Sequence, residues 1–297
     1  MVYIGRLSMQ LFKPYIEALS AVASRSHIRK LTLDYRHCHE GGENDWTNDI
    51  PVEALGHVTD LTLVRIPTIQ LVRLKSIVEQ STTLRTLDVY LYRRTQTPLD
   101  IRQVLSSERS PSSSLDCVRI QTVGNYGFSF PAEAAGCMRN LTALSISIGY
   151  YGDKLDQFWK AMRIRGVRLQ VLEVSAFTRE LVKYLASYTG LRHLKIGWNG
   201  PEYDRAEALQ LADDMYDVAI RSHDTTLTTL GIIEWHIPGE AWWGINEHRL
   251  KSLVRARKLR SLDLVIDTPD LSLVRSPSLY ILFQAGNAIC SVVDVLV

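Results

Sequence analysis

One six-residue pattern, apolar-x-x-apolar-x-apolar, recurs along the chain and dominates its distribution of hydrophobic and polar positions. Because successive side chains of a strand point to opposite faces, each copy predicts a short strand with one apolar and one polar face. Nine clear copies occupy residues 28–33, 58–63, 84–89, 115–120, 141–146, 169–174, 191–196, 227–232 and 259–264. A tenth, weaker copy occupies residues 292–297.

The segments between the copies have helical spacing. Polar residues that suit a helix N-cap precede amphipathic runs, as Thr178 precedes Leu181 and Val182. Similar helix starts are predicted at Thr68, Asp153 and Asp204. Each repeat is therefore predicted to be one β-α unit, long enough for the crossover that parallel strands require. Identical right-handed crossovers stack such units into a coil.

This repeat resembles that of the leucine-rich-repeat superfamily, in particular its ribonuclease-inhibitor-like long repeats. The resemblance covers nearly the whole chain and implies an α/β solenoid, a horseshoe or arc of about nine to ten repeats. The parallel sheet would lie on the concave side and the helices on the convex side. At the consensus Asn position, eight residues after each clear copy starts, only Asn199 keeps Asn. The irregular repeats of F-box leucine-rich-repeat proteins are therefore the most similar.

We expect one leucine-rich-repeat domain over residues 1–297. It comprises an N-terminal helix and partial repeat (1–27), nine repeats (28–264) and a C-terminal partial repeat (265–297). Solenoid ends normally carry polar capping units, which the apolar tail 292–297 and the single helix predicted at 11–23 do not supply. The sequence therefore predicts that the chain is part of a longer architecture.

Residues 50–55 resemble the opening of an F-box, a helical segment that docks onto a ubiquitin-ligase adaptor. A near copy recurs at residues 130–136, again just before a predicted strand. A segment repeated inside the solenoid, with Pro at the first helical position, is better explained as a short convex-side helix. We identify no F-box in this chain.

Residues of opposite charge occur at the same motif position in neighbouring predicted strands. Asp88 beside Arg119 and Glu173 beside Lys195 are expected to pair across adjacent strands. Tyr and Trp near the strand ends are candidate binding anchors, while Tyr92, Phe177 and Trp235 occupy the consensus Asn position and are predicted to fill the core. The candidate partner-binding residues are Asp88, Tyr90, Arg119, Tyr150, Tyr151, Glu173, His193, Lys195 and Trp198. The alternative is that each is a solvated strand residue.

Composition narrows the classes of function. With 34 basic and 32 acidic residues, the net charge of +2 supplies no field for nucleic acid or an anionic membrane. The four cysteines are widely separated, and neither a secretory signal nor a membrane span is predicted. These features favour a reducing intracellular compartment, either cytoplasm or nucleus. The basic run over residues 249–260 is predicted to be a solvated helix face, with binding of an acidic partner as the alternative.

The sequence contains none of the common catalytic motifs, and we expect no enzyme, metal or cofactor. The predicted function is a non-catalytic scaffold that binds a protein partner on the concave sheet and the strand-exit rim. One rival is the substrate-recognition module of an F-box type ubiquitin ligase, with the adaptor bound by a segment outside this chain. The other is an enzyme with a site near His37 and His39, although that cluster is predicted to be a polar loop.

Overall fold

The computed structural model describes residues 2–4, 18, 28–34, 57–65, 74–79, 81–91, 99–105, 114–122, 128–147, 155–198, 204–234, 246–265 and 289–293. The chain divides into two compact units, residues 1–141 and 142–297. Both units are α/β, with parallel strands and intervening helices. Their architecture confirms the predicted α/β class and the predicted parallel strand pairing.

In residues 1–141, the parallel sheet has the strand order β1-β2-β3-β4-β6. These strands are β1 (Val2–Ile4), β2 (Lys30–Asp34), β3 (Asp60–Val64), β4 (Thr86–Leu91) and β6 (Cys117–Thr122). A separate parallel pair comprises β5 (Leu99–Asp100) and β7 (Phe128–Ser129). The described helices are residues 74–79, the 3₁₀ turn Ile101–Gln103 and α1 (Ala134–Cys137).

This unit differs from the sequence prediction at its first strand and at the start of α1. Strand β1 was not predicted, yet it pairs with β2 in parallel. Helix α1 begins at Ala134, three residues after Pro131, and the Ala134 N–H donates to the Pro131 carbonyl at 2.9 Å across the turn between them. The expectation that proline opens this helix was therefore wrong. Of the helix predicted over 11–23, only residue 18 is described, and it is helical. The segment 50–55 lies outside the described residues.

In residues 142–297, the sheet order is β8-β9-β10-β11-β12-β13. The strands are β8 (Ala143–Ser147), β9 (Val171–Val174), β10 (His193–Trp198), β11 (Thr229–Glu234), β12 (Ser261–Val265) and β13 (Ile289–Val293). The helices are α2 (Asp156–Ile164), α3 (Arg179–Ala186), α4 (Arg205–Asp214) and α5 (Glu247–Val254). Helix α4 continues as a π-helix over Met215–Ile220 and a 3₁₀ turn over Arg221–His223.

Two of the predicted helix caps are present. The Thr178 hydroxyl accepts the Leu181 N–H at 3.3 Å, and the Asp204 carboxylate accepts the Glu207 N–H at 2.8 Å. Each cap satisfies one of the amides that the first helical turn leaves without a partner. Asp153 lies outside the described residues, and so does Thr68.

The register of the strands matches the repeat of the sequence. In each of the nine clear copies, the strand begins two residues after the first residue of the copy. Equivalent apolar positions of neighbouring strands pair directly. Buried leucines and valines therefore form rows across each sheet, as Leu61 pairs with Leu87 and Leu172 with Leu194. This alignment buries the apolar face of every repeat against its neighbours.

The tenth copy was placed wrongly. In β13, Cys290 pairs with Leu262 and Val292 with Leu264, so this strand lies five residues earlier than the copy predicted over 292–297. The segment around it is apolar at almost every position. Without alternation between apolar and polar residues, the sequence pattern does not specify which residues face inward.

Hydrogen bonds join each repeat to the next at the strand entrance. The Arg192 carbonyl accepts the N–H groups of Thr228 (2.7 Å) and Thr229 (3.0 Å). The same double contact is made by the carbonyls of Arg29, Thr59, Arg85, Thr142, Gln170 and Thr228. Hydroxyls one residue before the motif add further bonds, such as Thr226 to the Leu191 carbonyl at 2.8 Å. Backbone groups at this edge are thereby satisfied between repeats.

The two cores differ in composition. In residues 1–141 the largest fully buried side chains are aliphatic, including Leu63 and Leu74. In residues 142–297 they include a row of aromatic rings, in which Trp159 stacks on Tyr184 at 5.5 Å between centroids. The row continues from Tyr184 through Tyr188 to His223, with centroid distances of 5.2 and 5.0 Å. Phe177 is buried as predicted, whereas Tyr92 and Trp235 lie outside the described residues.

Candidate functional site

The candidate site in residues 1–141 is on the polar face of the sheet, formed by the side chains that alternate with the buried rows. Thr62, Asp88 and Arg119 occupy equivalent positions on β3, β4 and β6. Arg119 Nη1 lies 3.3 Å from Asp88 Oδ1, and the Thr62 hydroxyl donates to Asp88 Oδ2 at 3.5 Å. The predicted pairing of Asp88 with Arg119 is confirmed.

Asp88 is the desolvated member of this row. Its side chain is 14% exposed, whereas that of Arg119 is 50% exposed. Burial raises the pKa of Asp88, and the nearby Asp60 carboxylate adds to this effect. Arg119 and Thr62 counter it only in part, so the pKa remains above its ordinary value. The row therefore presents a half-exposed guanidinium to solvent above a carboxylate that water reaches poorly.

The polar face of residues 142–297 carries a different arrangement. Glu173 and Lys195 are opposite each other in the register, as expected, but the hydrogen bond to Glu173 comes from His193. His193 Nε2 lies 3.2 Å from Glu173 Oε1, although His193 is directly opposite Val171. The hydrogen bond is therefore diagonal, while Lys195, opposite Glu173 as expected, acts on the carboxylate through its charge alone.

The position of Lys195 explains this difference. Gly231 is the next residue of the row on β11, and a methyl group there would lie 3.3 Å from Lys195 Cγ and 3.8 Å from Asp263 Cβ. The lysine side chain thus packs over the glycine. A glycine at a central strand position allows such a close approach. The sequence pattern predicts Gly231 on the polar face, but Gly231 was not among the predicted site residues.

Glu173 is held in its charged form. The hydrogen bond from His193 lowers its pKa most. Ser145 and Lys195 lower it further, while partial burial opposes them, and the net value is below the ordinary one. The Glu173 carboxylate lies between the Ser145 hydroxyl and the His193 imidazole, and the hydroxyl donates its hydrogen bond to the carboxylate. A serine nucleophile instead needs its hydroxyl bonded to the imidazole. This trio suits charge presentation better than nucleophilic catalysis.

The remaining predicted residues are only partly described. Tyr90 is half-buried on the polar face, opposite Gln121 in the register. Trp198 ends β10, and its backbone is paired with that of Glu234. Tyr150 and Tyr151 lie outside the described residues, as do His37 and His39. The structure thus groups Asp88, Tyr90 and Arg119 in one unit and Glu173, His193 and Lys195 in the other.

The described residues show neither a metal-binding cluster nor a membrane-spanning helix. Among them, no three His, Cys, Asp or Glu side chains converge in a way that would hold a metal ion. None of the described helices has the length and apolar character needed to cross a membrane. Comparison with known sequences adds no relative: no protein-family model matches this chain, and no curated protein matches it.

Proposed function

We propose that this chain is a non-catalytic leucine-rich-repeat scaffold that binds a protein partner on the polar face of its parallel strands. The observation that carries the proposal is the in-register presentation of charges at one motif position, Asp88 and Arg119 in one unit and Glu173 and Lys195 in the other. Each row is anchored on buried leucines and valines, so its charged groups are held at fixed strand spacings.

The assignment to leucine-rich repeats is supported by the agreement between sequence period and strand register. Nine copies of one motif give nine strands, and the fourth residue of every copy is buried. The double hydrogen bond at the strand entrance recurs between successive repeats in both units. Stacked β-α units of this kind expose a continuous strand surface, which repeat proteins use for binding.

The mixed charge of the polar face favours a protein over a polyanion. Arg119 is balanced by Asp88, and Lys195 has Glu173 on the neighbouring strand. A nucleic acid requires a surface of one sign that neutralises several phosphates. Alternating signs instead complement a protein surface, where they set partner choice and orientation. The strand-exit rim with Tyr150, Tyr151 and Trp198 belongs to the same proposal, because Tyr and Trp often anchor interfaces.

The test starts with proteins retained from a lysate by the full immobilised chain, followed by binding of each purified candidate. Arg119→Glu and Lys195→Glu each reverse a charge on the polar face, whereas Lys160→Glu reverses an exposed charge on α2. We expect Kd for a true partner to rise at least about tenfold in one or both polar-face variants, equivalent to about 1.4 kcal/mol. It should change less than about twofold in the α2 control.

Two results would count against the proposal. Unchanged affinity in both polar-face variants would place the binding surface elsewhere on the chain. Weaker binding in the Lys160→Glu control alone would place it on the helices. If the retained protein is a ubiquitin-ligase adaptor, its sensitivity to these variants distinguishes adaptor docking from substrate recognition on the polar face.

A further inference from the structure

The strand-entry edge of residues 142–297 gathers basic side chains that are distant in sequence. Arg192 and Arg260 directly precede β10 and β12 and occupy the same motif position. Arg168 lies in the turn before β9, and Arg257 and Lys258 lie in the turn before β12. All five side chains are exposed. The crossover topology therefore brings together five positive charges along one edge, which we call the basic edge.

Within the described residues, no carboxylate neutralises these cations. None of the five forms an ion pair in the part of the chain that the structure describes. Cations on the helices of the same unit behave differently, since Lys183 lies 2.7 Å from Glu180. Asp224, a carboxylate in the turn before β11, forms no ion pair with any of these five cations.

The backbone fixes the spacing of these charges. Arg192 and Arg260 flank Thr228, and hydrogen bonds join Thr228 N–H to the Arg192 carbonyl and Arg260 N–H to the Thr228 carbonyl. Adjacent strands are about 4.8 Å apart, so the backbones of the two arginines, which are two strands apart, are separated by about 10 Å. This is close to the Debye length of about 8 Å at physiological salt, so the charges still repel each other. A bound anionic segment would relieve that repulsion.

We infer that the basic edge binds an extended acidic segment of a partner protein. The span from β9 to β12 is three strand spacings, or about 14 Å, which four or five residues of extended chain would cover. Ile164, the last residue of α2, is 73% exposed and precedes Arg168 by four residues, so it would offer an apolar side chain to a segment bound at the basic edge. A peptide can carry an apolar side chain next to its carboxylates, so it could contact Ile164 and the cations together.

Two features of the basic edge argue for a peptide over a nucleic acid. The described residues of this edge expose no aromatic ring on which a base could stack. The hydroxyls of Thr226 and Thr228 donate to the backbone carbonyls of Leu191 and Arg192, so they are not available to donate to phosphate. Recognition would therefore rest on arginine and lysine, which bind carboxylates well.

Residues 1–141 provide a matched control. Arg29 and Arg85 occupy the same motif position as Arg192 and Arg260. Arg85 pairs with Asp116 at 2.8 Å, so the equivalent edge of that unit carries a compensated charge. Arg29 is exposed and directly precedes β2. Arg29→Glu thus reverses a charge in the same local structure without altering the basic edge.

The test measures fluorescence anisotropy of a labelled ten-residue peptide of alternating glutamate and leucine with the full chain. We expect binding that weakens from 50 to 300 mM salt and a loss of at least about tenfold in the Arg192→Glu, Arg260→Glu double variant. Arg192→Gln with Arg260→Gln should give a smaller loss with an unchanged thermal melt. Arg29→Glu should stay within about twofold of wild type.

Each of the following results would overturn the inference: no binding of the peptide by wild type, equal binding by the double variant, or tighter binding of a labelled hexathymidylate than of the peptide. Arg119 is not one of the residues of the basic edge, so Arg119→Glu should leave peptide affinity within about twofold. Loss of peptide binding in Arg119→Glu would likewise count against it. Failure of the polar-face proposal would leave these outcomes unaffected.

Discussion

Asp88 and Glu173 occupy the same motif position in the two units, yet their surroundings shift their pKa values in opposite directions. Asp88 is short and mostly covered, and burial outweighs the help of Arg119 and Thr62. Glu173 is longer and 37% exposed, and the hydrogen bond from His193 outweighs its partial burial. Position in a repeat therefore fixes where a carboxylate lies, while side-chain length and diagonal neighbours decide how strongly its charge is stabilised.

The cores extend this contrast. Residues 1–141 bury aliphatic side chains, whereas residues 142–297 bury a row of aromatic rings that ends at a histidine. Aliphatic cores do not titrate, but a buried imidazole resists protonation. We therefore expect the second unit to depend more on individual large side chains and to be the acid-sensitive one.

Trp159→Ala should have the largest effect. Trp159 is fully buried, stacks on Tyr184 and contacts the Phe158 ring edge-on at 4.8 Å. Removing the indole should lower the free energy of unfolding by about 3–5 kcal/mol. Hydrogen exchange should show faster opening of residues 142–297, with little change in residues 1–141. Uniform acceleration in both units, or a loss below about 1 kcal/mol, would contradict a core organised around this row.

Acid should destabilise residues 142–297 through His223. The ring is 1% exposed, and its Nδ1 accepts the Leu191 N–H at 3.4 Å. Burial lowers the pKa of His223 from 6.5 to about 4. Between these pH values the unfolded chain binds a proton that the folded chain does not. The stability present above pH 6.5 should therefore fall, by up to about 3 kcal/mol at pH 4.

Chemical denaturation of wild type and His223→Gln at pH 7, 5.5 and 4 would measure this effect. The variant should lose less stability than wild type between pH 6.5 and 4, since glutamine does not titrate. Parallel pH profiles for the two proteins would rule out His223 as the source of acid sensitivity. A control variant, His248→Gln, removes an exposed imidazole that pairs with Asp217 at 2.7 Å.

Removing the charge of Asp88 and removing that of Glu173 should change the free energy of unfolding at pH 7 in opposite directions. Because the pKa of Asp88 is raised, its stabilising contribution is present below its unfolded pKa and is lost as pH rises through the folded value. Asp88→Asn should therefore be neutral or stabilising. Because the pKa of Glu173 is lowered, Glu173→Gln should destabilise, and this loss should vanish as pH falls through the folded value.

Both of these effects should stay within about 1 kcal/mol. Urea denaturation at pH 7 and pH 3 would measure them. Changes of the same sign at pH 7 would remove the electrostatic contrast between the units. Ser147→Ala, on the half-exposed end of β8, serves as a control for a polar-face substitution that changes no charge.

Gly231→Ala should have the smallest effect. Alanine restricts the unfolded chain and has a better strand propensity than glycine, which favours the variant by about 0.5–1 kcal/mol. Lys195 must move by a few tenths of an ångström to accommodate the new methyl group. We expect a net change within about 0.5 kcal/mol by thermal denaturation. A large loss would mean that the lysine is held rigidly over the glycine.

The repeat pattern allowed the strands, their register and the buried rows to be predicted, because alternation with a fixed apolar position specifies which side chains face inward. Thr178 and Asp204 were predicted as caps for a similar local reason. Strand β1 was missed because Val2–Ile4 is only three residues long and shows no full motif. The register of β13 could not be predicted from a segment that lacks alternation.

The candidate site was less predictable than the fold. Strand neighbours could be inferred from the motif, and the Asp88 pairing with Arg119 followed from them. The contact between Glu173 and His193 is diagonal and depends on side-chain reach, which spacing along the chain does not encode. The basic run over residues 249–260 was predicted to be a solvated helix face, which is wrong because α5 ends at Val254 and Arg249 is buried. Its last three cations lie at the entrance to β12 instead. Only the crossover topology brings Arg168, Arg192 and Arg260 to one side.

The most direct test of the proposed function is photo-crosslinking from two positions to a purified partner. A benzoylphenylalanine placed at Thr229 would lie on the polar face beside His193, and one placed at Lys160 would lie on the surface of α2. We predict that the partner becomes covalently attached from position 229 and not from position 160. Crosslinking of the partner from position 160 alone would contradict binding on the polar face and would show that the partner binds the helices.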